Sequence, residues 1–363
     1  MNRTAVVHDY LLVPGGAEKV VLEFSRVLGS DLVVGYSRND VISLLDYNDI
    51  RVNNLFNYLP YRLSWAISIV LSSVLLDRRF DRYNSIIYSG VLAPLLAKRH
   101  SPQFKIMYIH TVPRIAFMEP KRRSEKFGSV NAFVIDKLLN KYLTMYEDAL
   151  SSMNVIYSNS HHTADKLRCC YGRESQVLYP PCDTGRYKYR EEQGYYLSLA
   201  RLEPYKRVHR IVKAFLRMPS KTLVVASGGS ELKHLQFLAG DAPNIIFKNW
   251  LKDEELLDLM SKCIATIYIP EDEDFGMSVV DSIASGKPVI GVSEGGIKEI
   301  IIDDETGILL PPDPSVEDIE GAILAMSSSK AKSMRTSCEE RAEMFGLFPF
   351  TDALNDIKNK FDV

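Results

Sequence analysis

The sequence predicts an α/β protein made of two doubly wound, Rossmann-like domains. The chain has 363 residues, of which 46% are hydrophobic and 25% charged; this length exceeds one ordinary core and suits two domains of about 150–180 residues. Short apolar segments alternate with amphipathic ones, the pattern of strand, helix and strand in a parallel sheet. The pair Pro180-Pro181 stiffens the backbone and removes amide donors, as expected of a connector. We place the boundary near residue 186, between domains at 1–186 and 187–345.

The first half predicts five strands joined by turns and helices. The strands are expected at residues 4–10, 31–36, 85–89, 104–110 and 156–160. Gly15 and Gly16 follow the first strand and open a helix, so backbone N–H groups there can approach a phosphate or a sugar. Ser160 is suited to cap a helix that begins near His161.

The second half is more regular and predicts a Rossmann-like domain. Strands are expected at residues 195–200, 222–226, 244–247, 265–269, 289–292 and 307–310, and helices at 208–218, 231–238, 253–263 and 275–285.

The most apolar stretch is 58–83, and its uncharged run, 63–76, has 14 residues. That run is shorter than the roughly 20 residues that a membrane-spanning helix needs. Arginines flank it on both sides, so a partly buried helix and a helix lying on anionic lipid both remain open.

Composition argues for a cytoplasmic protein with reduced thiols. No apolar run follows Met1, so we expect no signal peptide. The five cysteines form no C-x-x-C pair and the chain has only seven histidines, which gives a metal site little support.

Charge is unevenly distributed along the chain. Residues 1–190 hold 25 Lys and Arg against 17 Asp and Glu, whereas residues 191–363 hold 19 against 29. The basic half suits an anionic acceptor or the surface of the cytoplasmic membrane. No nucleic-acid-binding module is visible, so nucleic acid is not an expected partner.

Two carboxylates, Glu273 and Asp281, flank a segment that opens with Phe275 and Gly276. Eight helical residues rise roughly 12 Å, enough to place one carboxylate at each end of a diphosphate-linked ligand. The free N–H groups of the helix start would lie between them. The spacing indicates a nucleotide-sugar site, and an amphipathic helix with an acid near its N-terminus is the structural alternative.

Cations and a histidine also follow predicted strands, at the ends where open α/β sheets place ligands. Arg201 and Lys206 come after strand 195–200. Together they can neutralise a leaving diphosphate, because Arg forks onto two oxygens and Lys acts as a point charge. A lone histidine more often has a structural role, but the position of His110 at a strand end favours ligand contact.

The segment from Glu273 resembles the signature of the retaining GT-B glycosyltransferases called family 4, usually written E-x-F-G-x-x-x-x-E-A-x-A-x-G-x-P-V-I. Asp281 stands in place of the second Glu and Ser282 in place of the following Ala. Further resemblances cover most of the chain: residues 197–215 match the family's S-R-L-x-x-x-K motif, 108–114 the HTP-type segment of its mannosyltransferases, 157–187 the interdomain passage, 294–296 its E-G-G, and 345–361 its terminal helix.

The resemblance implies the GT-B fold, with an interdomain cleft and a terminal helix, 346–363, that crosses back to domain 1–186. It also implies transfer of a sugar from a nucleotide diphosphate with retention. The resemblance also implies a role for each candidate residue. Arg201 and Lys206 stabilise the departing diphosphate, Glu273 orients the sugar and Asp281 holds the ribose. The sugar pocket is shaped by His110, Gly15 and Gly16, the donor site is completed by Phe275, Gly276 and Met277, and the amides of Gly295 and Gly296 lie near the nucleotide. Diphosphates in GT-B enzymes are usually neutralised by side chains and helix ends, so we expect no metal cofactor and interpret Asp272 and Asp274, which spell D-x-D, as incidental.

The motifs together look most like bacterial mannosyltransferases of O-antigen (lipopolysaccharide) or other surface polysaccharide. This resemblance implies GDP-mannose as donor, an undecaprenyl-diphosphate-linked or oligosaccharide acceptor, an α-linkage and a peripheral position at the inner face of the cytoplasmic membrane. A family 4 enzyme that uses a UDP-sugar is the main alternative. A nucleotide-sugar epimerase, which needs no acceptor, and a non-catalytic nucleotide-sugar binder are alternatives of another class.

Overall fold

The computed structural model describes residues 3–12, 15–38, 50–55, 80–98, 102, 104–113 and 129–361, without the side chains of 129–135 and 360–361. The chain divides into two compact units, unit 1 with residues 1–180 and 350–363, and unit 2 with residues 181–349. The division falls between Pro180 and Pro181. The apolar run 63–76 lies outside the described residues.

Unit 1 contains a seven-stranded parallel sheet in its described residues. The strands are β1 (Thr4–His8), β2 (Asp31–Val34), β3 (Val52–Asn54), β4 (Ser85–Ser89), β5 (Phe104–Ile109), β6 (Val155–Ser158) and β7 (Gln176–Val177). Their order is β3-β2-β1-β4-β5-β6-β7, so the winding reverses between β1 and β4, which is the doubly wound pattern. Helices α1 (Gly16–Leu28), α2 (Ser129–Ser151) and α3 (His161–Tyr171) belong to this unit.

Unit 2 contains a six-stranded parallel sheet in the order β10-β9-β8-β11-β12-β13. These strands are β8 (Tyr195–Ser198), β9 (Thr222–Val225), β10 (Ile245–Phe247), β11 (Thr266–Ile267), β12 (Val289–Val292) and β13 (Gly307–Leu310). The helices are α4 (Val208–Arg217), α5 (Leu232–Ala239), α6 (Asp253–Lys262), α7 (Met277–Ala284), α8 (Ile297–Ile300), α9 (Val316–Ala325), α10 (Ser328–Ser333) and α11 (Arg335–Glu343).

The terminal helix, α12 (Leu347–Phe361), adds side chains to the core of unit 1. Its Phe350, Leu354 and Ile357 are buried in the same cluster as Phe24 and Tyr108. The rings of Phe24 and Phe350 meet edge to face at 5.2 Å. The predicted return of the terminal helix to the first domain is therefore confirmed.

Local sequence explains where several elements begin and end. Gly29 ends α1 in the left-handed conformation at φ 60°, which favours glycine. The Ser160 hydroxyl accepts a hydrogen bond from the amide of Thr163 and so caps α3, as predicted. Every predicted strand is present. Two strands were not predicted: β7, and β3, whose sequence, Val52-Asn53-Asn54, is mostly polar.

The five cysteines all lie in the described part of the chain and form no disulfide; Cys169 and Cys170 are exposed, and Cys182, Cys263 and Cys338 are buried. Among the residues that the structure describes, no helix combines the length and the apolar character needed to cross a bilayer.

Candidate functional site

Charged and aromatic side chains gather at the carboxyl ends of β8 and β11, which are neighbours in the sheet of unit 2. The loop after β8 carries Arg201, Tyr205 and Lys206, and the loop after β11 carries Tyr268 and Glu273. Parallel α/β sheets place ligands at this end of their strands. The fold thus brings two sequence-distant loops to one ligand-binding edge.

Lys206 is the centre of this cluster. It is only 9% exposed, and its Nζ donates hydrogen bonds to Oε2 of Glu273 at 2.5 Å and to the hydroxyl of Tyr268 at 2.8 Å. The ammonium also lies 5.3 Å from the ring centre of Tyr205 and 5.1 Å from that of Tyr268, within cation–π range. The predicted diphosphate cation and the predicted sugar carboxylate are therefore in direct contact.

Tyr268 is a member of this site that the sequence analysis did not identify. Burial raises the pKa of its phenol well above the usual value, and the charge of Glu273 reinforces the shift. Tyr268 therefore stays a neutral phenol that accepts from Lys206. The signal in the sequence was its position at the end of predicted strand 265–269.

Arg201 and Lys206, the two predicted cations, have different environments. Arg201 is exposed at the start of the loop after β8, whereas Lys206 is buried at its end. The amide of Leu202, next to Arg201, donates to the carbonyl of Gly228. A Cβ at Gly229 would lie 2.4 Å from the carbonyl oxygen of Leu202, so the glycines at the end of β9 allow that loop to pack closely beside Arg201.

The glycine pair Gly295-Gly296 holds the backbone of Glu273. Gly295 has φ +65°, and a Cβ there would lie 2.3 Å from the carbonyl oxygen of Glu273. The amide of Gly296 donates to that same oxygen at 2.9 Å. The Gly296 amide thus has an acceptor within the protein, and the implied position of these amides near the nucleotide stays a prediction.

Helix α7 begins at Met277, two residues later than the predicted start at Phe275. The reason is Gly276, which has φ 108° and precedes the helix in the left-handed region. Phe275 is buried, and its ring packs against Phe345 with centres 5.8 Å apart. Met277 is half-buried at the first helical position.

Asp281, which takes the place of the family's second Glu, lies in α7 and contacts two side chains from outside that helix. The hydroxyl of Tyr187 donates to Oδ1 of Asp281 at 2.6 Å, and the thiol of Cys182 lies 3.8 Å from the same oxygen. Burial raises the pKa of Tyr187 well above the usual value, and the charge of Asp281 adds to that shift. The predicted contact of Asp281 with a ribose stays a prediction.

In unit 1, His110 directly follows β5 and is half-buried. Its Nε2 lies 2.8 Å from the Ser89 hydroxyl. Burial, together with a smaller effect of His8, lowers the pKa of His110 to about 3, so the imidazole is neutral at pH 7.

The helix start at Gly15 and Gly16 is occupied by a side chain of the protein itself. A Cβ at Gly15 would lie 2.4 Å from Oε2 of Glu18, and Glu18 is 5% exposed. The Glu18 carboxylate thus lies in the first turn of α1, as the helix dipole favours, and the predicted contact of Gly15 and Gly16 with a phosphate or a sugar stays a prediction.

Within the described ranges, no three His, Cys, Asp or Glu side chains are arranged to hold a metal ion. Asp272 has φ 50°, and its amide donates to Oε1 of Glu294 at 3.3 Å.

Comparison with known proteins identifies the family of unit 2 and the fold of the whole chain. Residues 185–344 match the sequence model of the family described as "Glycosyl transferases group 1". The alpha-1,3/1,6-mannosyltransferase ALG2 of Mus musculus is 23% identical over 353 residues, covering 83% of this chain and 82% of its own length. The ALG2 of Dictyostelium discoideum is 27% identical over 197 residues, covering 47% of this chain and 46% of its own length.

Two further similarities bear on ligand and fold. A human protein, "GDP-Man:Man(3)GlcNAc(2)-PP-Dol alpha-1,2-mannosyltransferase", is 24% identical over 242 residues, covering 58% of this chain and 49% of its own length. The chain therefore spans about half the length of two of these three relatives. The crystal structure of Anabaena HepE in complex with UDP-glucose superposes with a TM-score of 0.78 at 17% identity, covering 98% of this chain and 99% of that one. The chain thus has the fold of the GT-B glycosyltransferases and is similar in sequence to mannosyltransferases, and residues 185–344, in its second unit, match the glycosyl transferases group 1 model.

Proposed function

We propose that this protein is a retaining α-mannosyltransferase that moves mannose from GDP-mannose to a lipid-linked or oligosaccharide acceptor in the synthesis of an O-antigen-type surface polysaccharide. The observation that carries the proposal is the 2.5 Å contact of Lys206 with Glu273 at the ligand-binding edge of unit 2. In this arrangement the buried ammonium of Lys206 is available to a diphosphate, and the carboxylate of Glu273 is available to sugar hydroxyls.

In this proposal the bond between the anomeric carbon and the diphosphate oxygen breaks, and its electron pair leaves with the diphosphate. Lys206 and Arg201 stabilise the charge that develops on the leaving group. The acceptor hydroxyl attacks the same face of the sugar, and its proton passes to the departing phosphate. Glu273 orients the sugar through its hydroxyls and Asp281 binds the ribose. His110, Gly15 and Gly16 are proposed to shape the sugar pocket.

The choice of GDP-mannose is supported by the mannosyltransferase relatives and by the donor in the printed name of the human relative. A UDP-sugar is the second candidate, because the HepE structure, a match of fold alone, contains UDP-glucose. We propose that no metal is needed, since Lys206 and Arg201 can supply the positive charge that the diphosphate requires.

The acceptor is proposed to carry a diphosphate linked to a polyprenol such as undecaprenol. Two features support it: the basic excess of residues 1–190, and the dolichol-diphosphate acceptor in the name of the human relative. A cytoplasmic enzyme bound peripherally to the inner face of the membrane would meet such an acceptor.

Calorimetric titration with GDP, UDP, GDP-mannose and several UDP-sugars tests the donor, first without metal and then with magnesium. Metal-independent binding of GDP and GDP-mannose alone is the expected result. A preference for UDP would replace the mannosyl donor but keep the transferase, and a requirement for magnesium would contradict charge neutralisation by Lys206 and Arg201.

Transfer itself needs a second assay, with GDP-mannose and a short-chain polyprenyl-diphosphate oligosaccharide, read by mass spectrometry. Appearance of an acceptor extended by one hexose is expected. Donor consumed without any extended acceptor would support an epimerase, and binding without turnover across a panel of acceptors would support a non-catalytic binder.

A further inference from the structure

Two residues with a left-handed backbone flank the central pair of the candidate site in unit 2. Arg207, which directly follows Lys206, has φ 55°, and Asp272, which directly precedes Glu273, has φ 50°. A Cβ disfavours this region, and the non-glycine residues that adopt it most often include Asn and Asp. Asp272 therefore suits its position, whereas Arg207 is an unusual residue that its surroundings have to hold in place.

The conformation of Arg207 determines how the turn that carries Lys206 meets the next helix. The short turn Pro204–Lys206 ends at Arg207, whose amide donates to the Pro204 carbonyl at 3.1 Å. Helix α4 begins at the following residue, Val208. A change of φ at Arg207 would rotate the turn, and with it Lys206, relative to α4.

The guanidinium of Arg207 is buried and reaches the loops after β12 and β13. The side chain is 10% exposed. Its Nη1 donates to the Pro312 carbonyl at 2.6 Å, and its Nη2 lies 3.6 Å from Oδ1 of Asp313, both in the loop after β13. Nη1 also lies 3.9 Å from Oε2 of Glu294, in the loop after β12. This side chain thus ties the loop after β8 to two others.

Glu294 connects Arg207 to the loop of Glu273. Its Oε1 accepts from the amide of Asp272 at 3.3 Å, and the amide of Gly296, two residues later, donates to the Glu273 carbonyl at 2.9 Å. Its Oε2 is buried and makes no hydrogen bond to the residues that the structure describes. Arg207 places a positive charge beside that oxygen, which offsets the cost of burying a carboxylate.

We infer that Arg207 and Glu294 are positioning residues whose buried pair locks the turn of Lys206 to the loop of Glu273, so that the ammonium and the carboxylate are held ready for the donor. This inference rests on the proposed function for the identity of the ligand. Groups that are already ordered stabilise a transition state better than groups that must first be brought into place. All the residues of this arrangement belong to unit 2.

The first test measures how firmly the Lys206 turn is held and needs no activity. Lysine amines of the whole protein are methylated under native conditions, and the rate at each lysine is followed by mass spectrometry of chymotryptic peptides. Lys206 is 9% exposed and should react slowly in the wild type. Arg207→Gly and Glu294→Ala should each raise its rate about tenfold, the effect of one lost charge-assisted contact on a local opening equilibrium.

Lys287 shows whether a variant has loosened the whole unit instead. It is another buried lysine of unit 2, 2% exposed, whose Nζ donates to the Arg190 carbonyl at 2.7 Å. Its rate should stay unchanged in both variants. Glycine adopts a positive φ freely, so Arg207→Gly removes the guanidinium without forcing a new turn.

Arg210→Ala is the matched control for the loss of an arginine. Arg210 lies in α4, and its Nη1 is 2.6 Å from Oδ1 of Asp313 and 2.8 Å from the Pro314 carbonyl oxygen. Its removal weakens the attachment of the loop after β13 but leaves the pair of Arg207 with Glu294 in place. Lys206 should therefore react in Arg210→Ala as it does in the wild type.

Glu294→Gln separates the two contacts of Glu294. The amide oxygen of glutamine still accepts from the Asp272 amide, so this variant should retain part of the protection that Glu294→Ala loses. Unchanged reactivity of Lys206 in both Arg207→Gly and Glu294→Ala would overturn the inference. An equal rise at Lys206 and Lys287 would also overturn it, because the pair would then stabilise the unit as a whole.

The second test is kinetic. Arg207→Gly should lower kcat for sugar transfer about tenfold, while GDP binds within about threefold of wild type because Lys206 and Arg201 both remain. Arg210→Ala should leave both values unchanged. A large loss of GDP affinity that Arg207→Lys restores would show that Arg207 acts as a cation for the diphosphate and would overturn the positioning role.

The two tests separate this inference from the proposed function. Faster labelling of Lys206 in Arg207→Gly together with wild-type kcat would refute the positioning role in catalysis. Absence of transfer in the wild type would contradict the proposed function, and the labelling rates would still decide whether the pair of Arg207 and Glu294 holds Lys206.

Discussion

The hydroxyl of Tyr187 donates a 2.6 Å hydrogen bond to Oδ1 of Asp281. Asp281 replaces the longer Glu of the family signature, and this bond anchors the shorter side chain through a residue of the segment that opens unit 2. A ribose that binds here has to share the carboxylate with Tyr187.

The ribose contact of Asp281 can be tested with altered nucleotides. Asp281→Asn should weaken GDP binding about tenfold, because an amide is a poorer acceptor for ribose hydroxyls than a carboxylate. The affinity for 2′,3′-dideoxy-GDP, which lacks those hydroxyls, should change by less than about twofold. Calorimetry on both nucleotides provides the comparison, and equal losses would mean that Asp281 acts only through the fold.

Glu273→Ala should abolish transfer while free GDP binds within about threefold of wild type. Glu273 is assigned to the sugar, and its removal frees Lys206 from a carboxylate partner. Calorimetry with GDP and a transfer assay are run on the same preparation. A large loss of GDP affinity would show that Glu273 instead orders the diphosphate site.

Lys206→Met and Arg201→Ala should each weaken GDP about tenfold or more, because each removes a positive charge assigned to the diphosphate. Guanosine, which has no phosphate, should bind the variants and wild type alike. Arg217→Ala is the matched control, since Arg217 is an exposed arginine of unit 2 that pairs with Glu317. Wild-type GDP affinity in either site variant would remove that residue from the leaving-group role.

Gly295→Ala should destabilise unit 2 by about 2 kcal/mol or more. The residue has φ +65°, and the added Cβ would collide with the carbonyl of Glu273. Gly321→Ala is the control with opposite sign: Gly321 lies exposed in α9 with no atom within 4 Å of an added Cβ, so alanine should stabilise by about 0.5–1 kcal/mol. Chemical denaturation measures both, and an unaffected Gly295→Ala would contradict the close packing on Glu273.

The buried His8 and the half-buried His110 predict an acid dependence of stability. Burial lowers the pKa of His8 from 6.5 to about 4 and that of His110 from 6.5 to about 3. The unfolded chain therefore binds protons first, and the stability that each neutral ring contributes is complete above pH 6.5 and lost as the pH falls toward 4. Asp9 acts in the opposite direction, because burial raises its pKa from 3.8 to about 6 and its contribution is lost as the pH rises through 6.

Denaturation curves at pH 6.5 and pH 5 isolate the histidine effect. His110→Gln should lose about 1–2 kcal/mol less unfolding free energy than wild type over that interval. His234→Gln changes an exposed histidine and should follow the wild-type curve. Identical losses in His110→Gln and wild type would mean that His110 is not held neutral.

Most of the fold could be predicted from the sequence, because apolar runs and turn residues are local signals. The strands Ser85–Ser89, Val289–Val292 and Gly307–Leu310 have the predicted bounds. The strand Gln176–Val177 was not predicted, because two residues are too few to show a periodic pattern and the strand is defined by its pairing with β6. Helix α7 starts later than predicted because Gly276 has a left-handed φ. The pattern of side chains along the sequence does not reveal this backbone conformation.

The candidate site was predicted as a set of residues but not as a set of contacts. Lys206 and Glu273 were assigned to different parts of one ligand, and their direct bond depends on two loops meeting at adjacent strands. Tyr268 was missed because it lies 62 residues from the lysine that it contacts. The contacts of the Ser89 hydroxyl with His8 and His110 likewise join residues that are 81 and 21 positions away in the sequence.

The return of α12 to unit 1 has a consequence for the order of folding during synthesis. Phe350, Leu354 and Ile357 complete the core of unit 1, but the ribosome makes them after every strand of unit 2. All strands of unit 2 are therefore synthesised before the core of unit 1 can be completed. This order inverts the usual one, in which the N-terminal domain folds first. Until then the apolar surface around Phe24 and Tyr108 stays open, and at that stage the nascent chain is most exposed to aggregation and most in need of a chaperone.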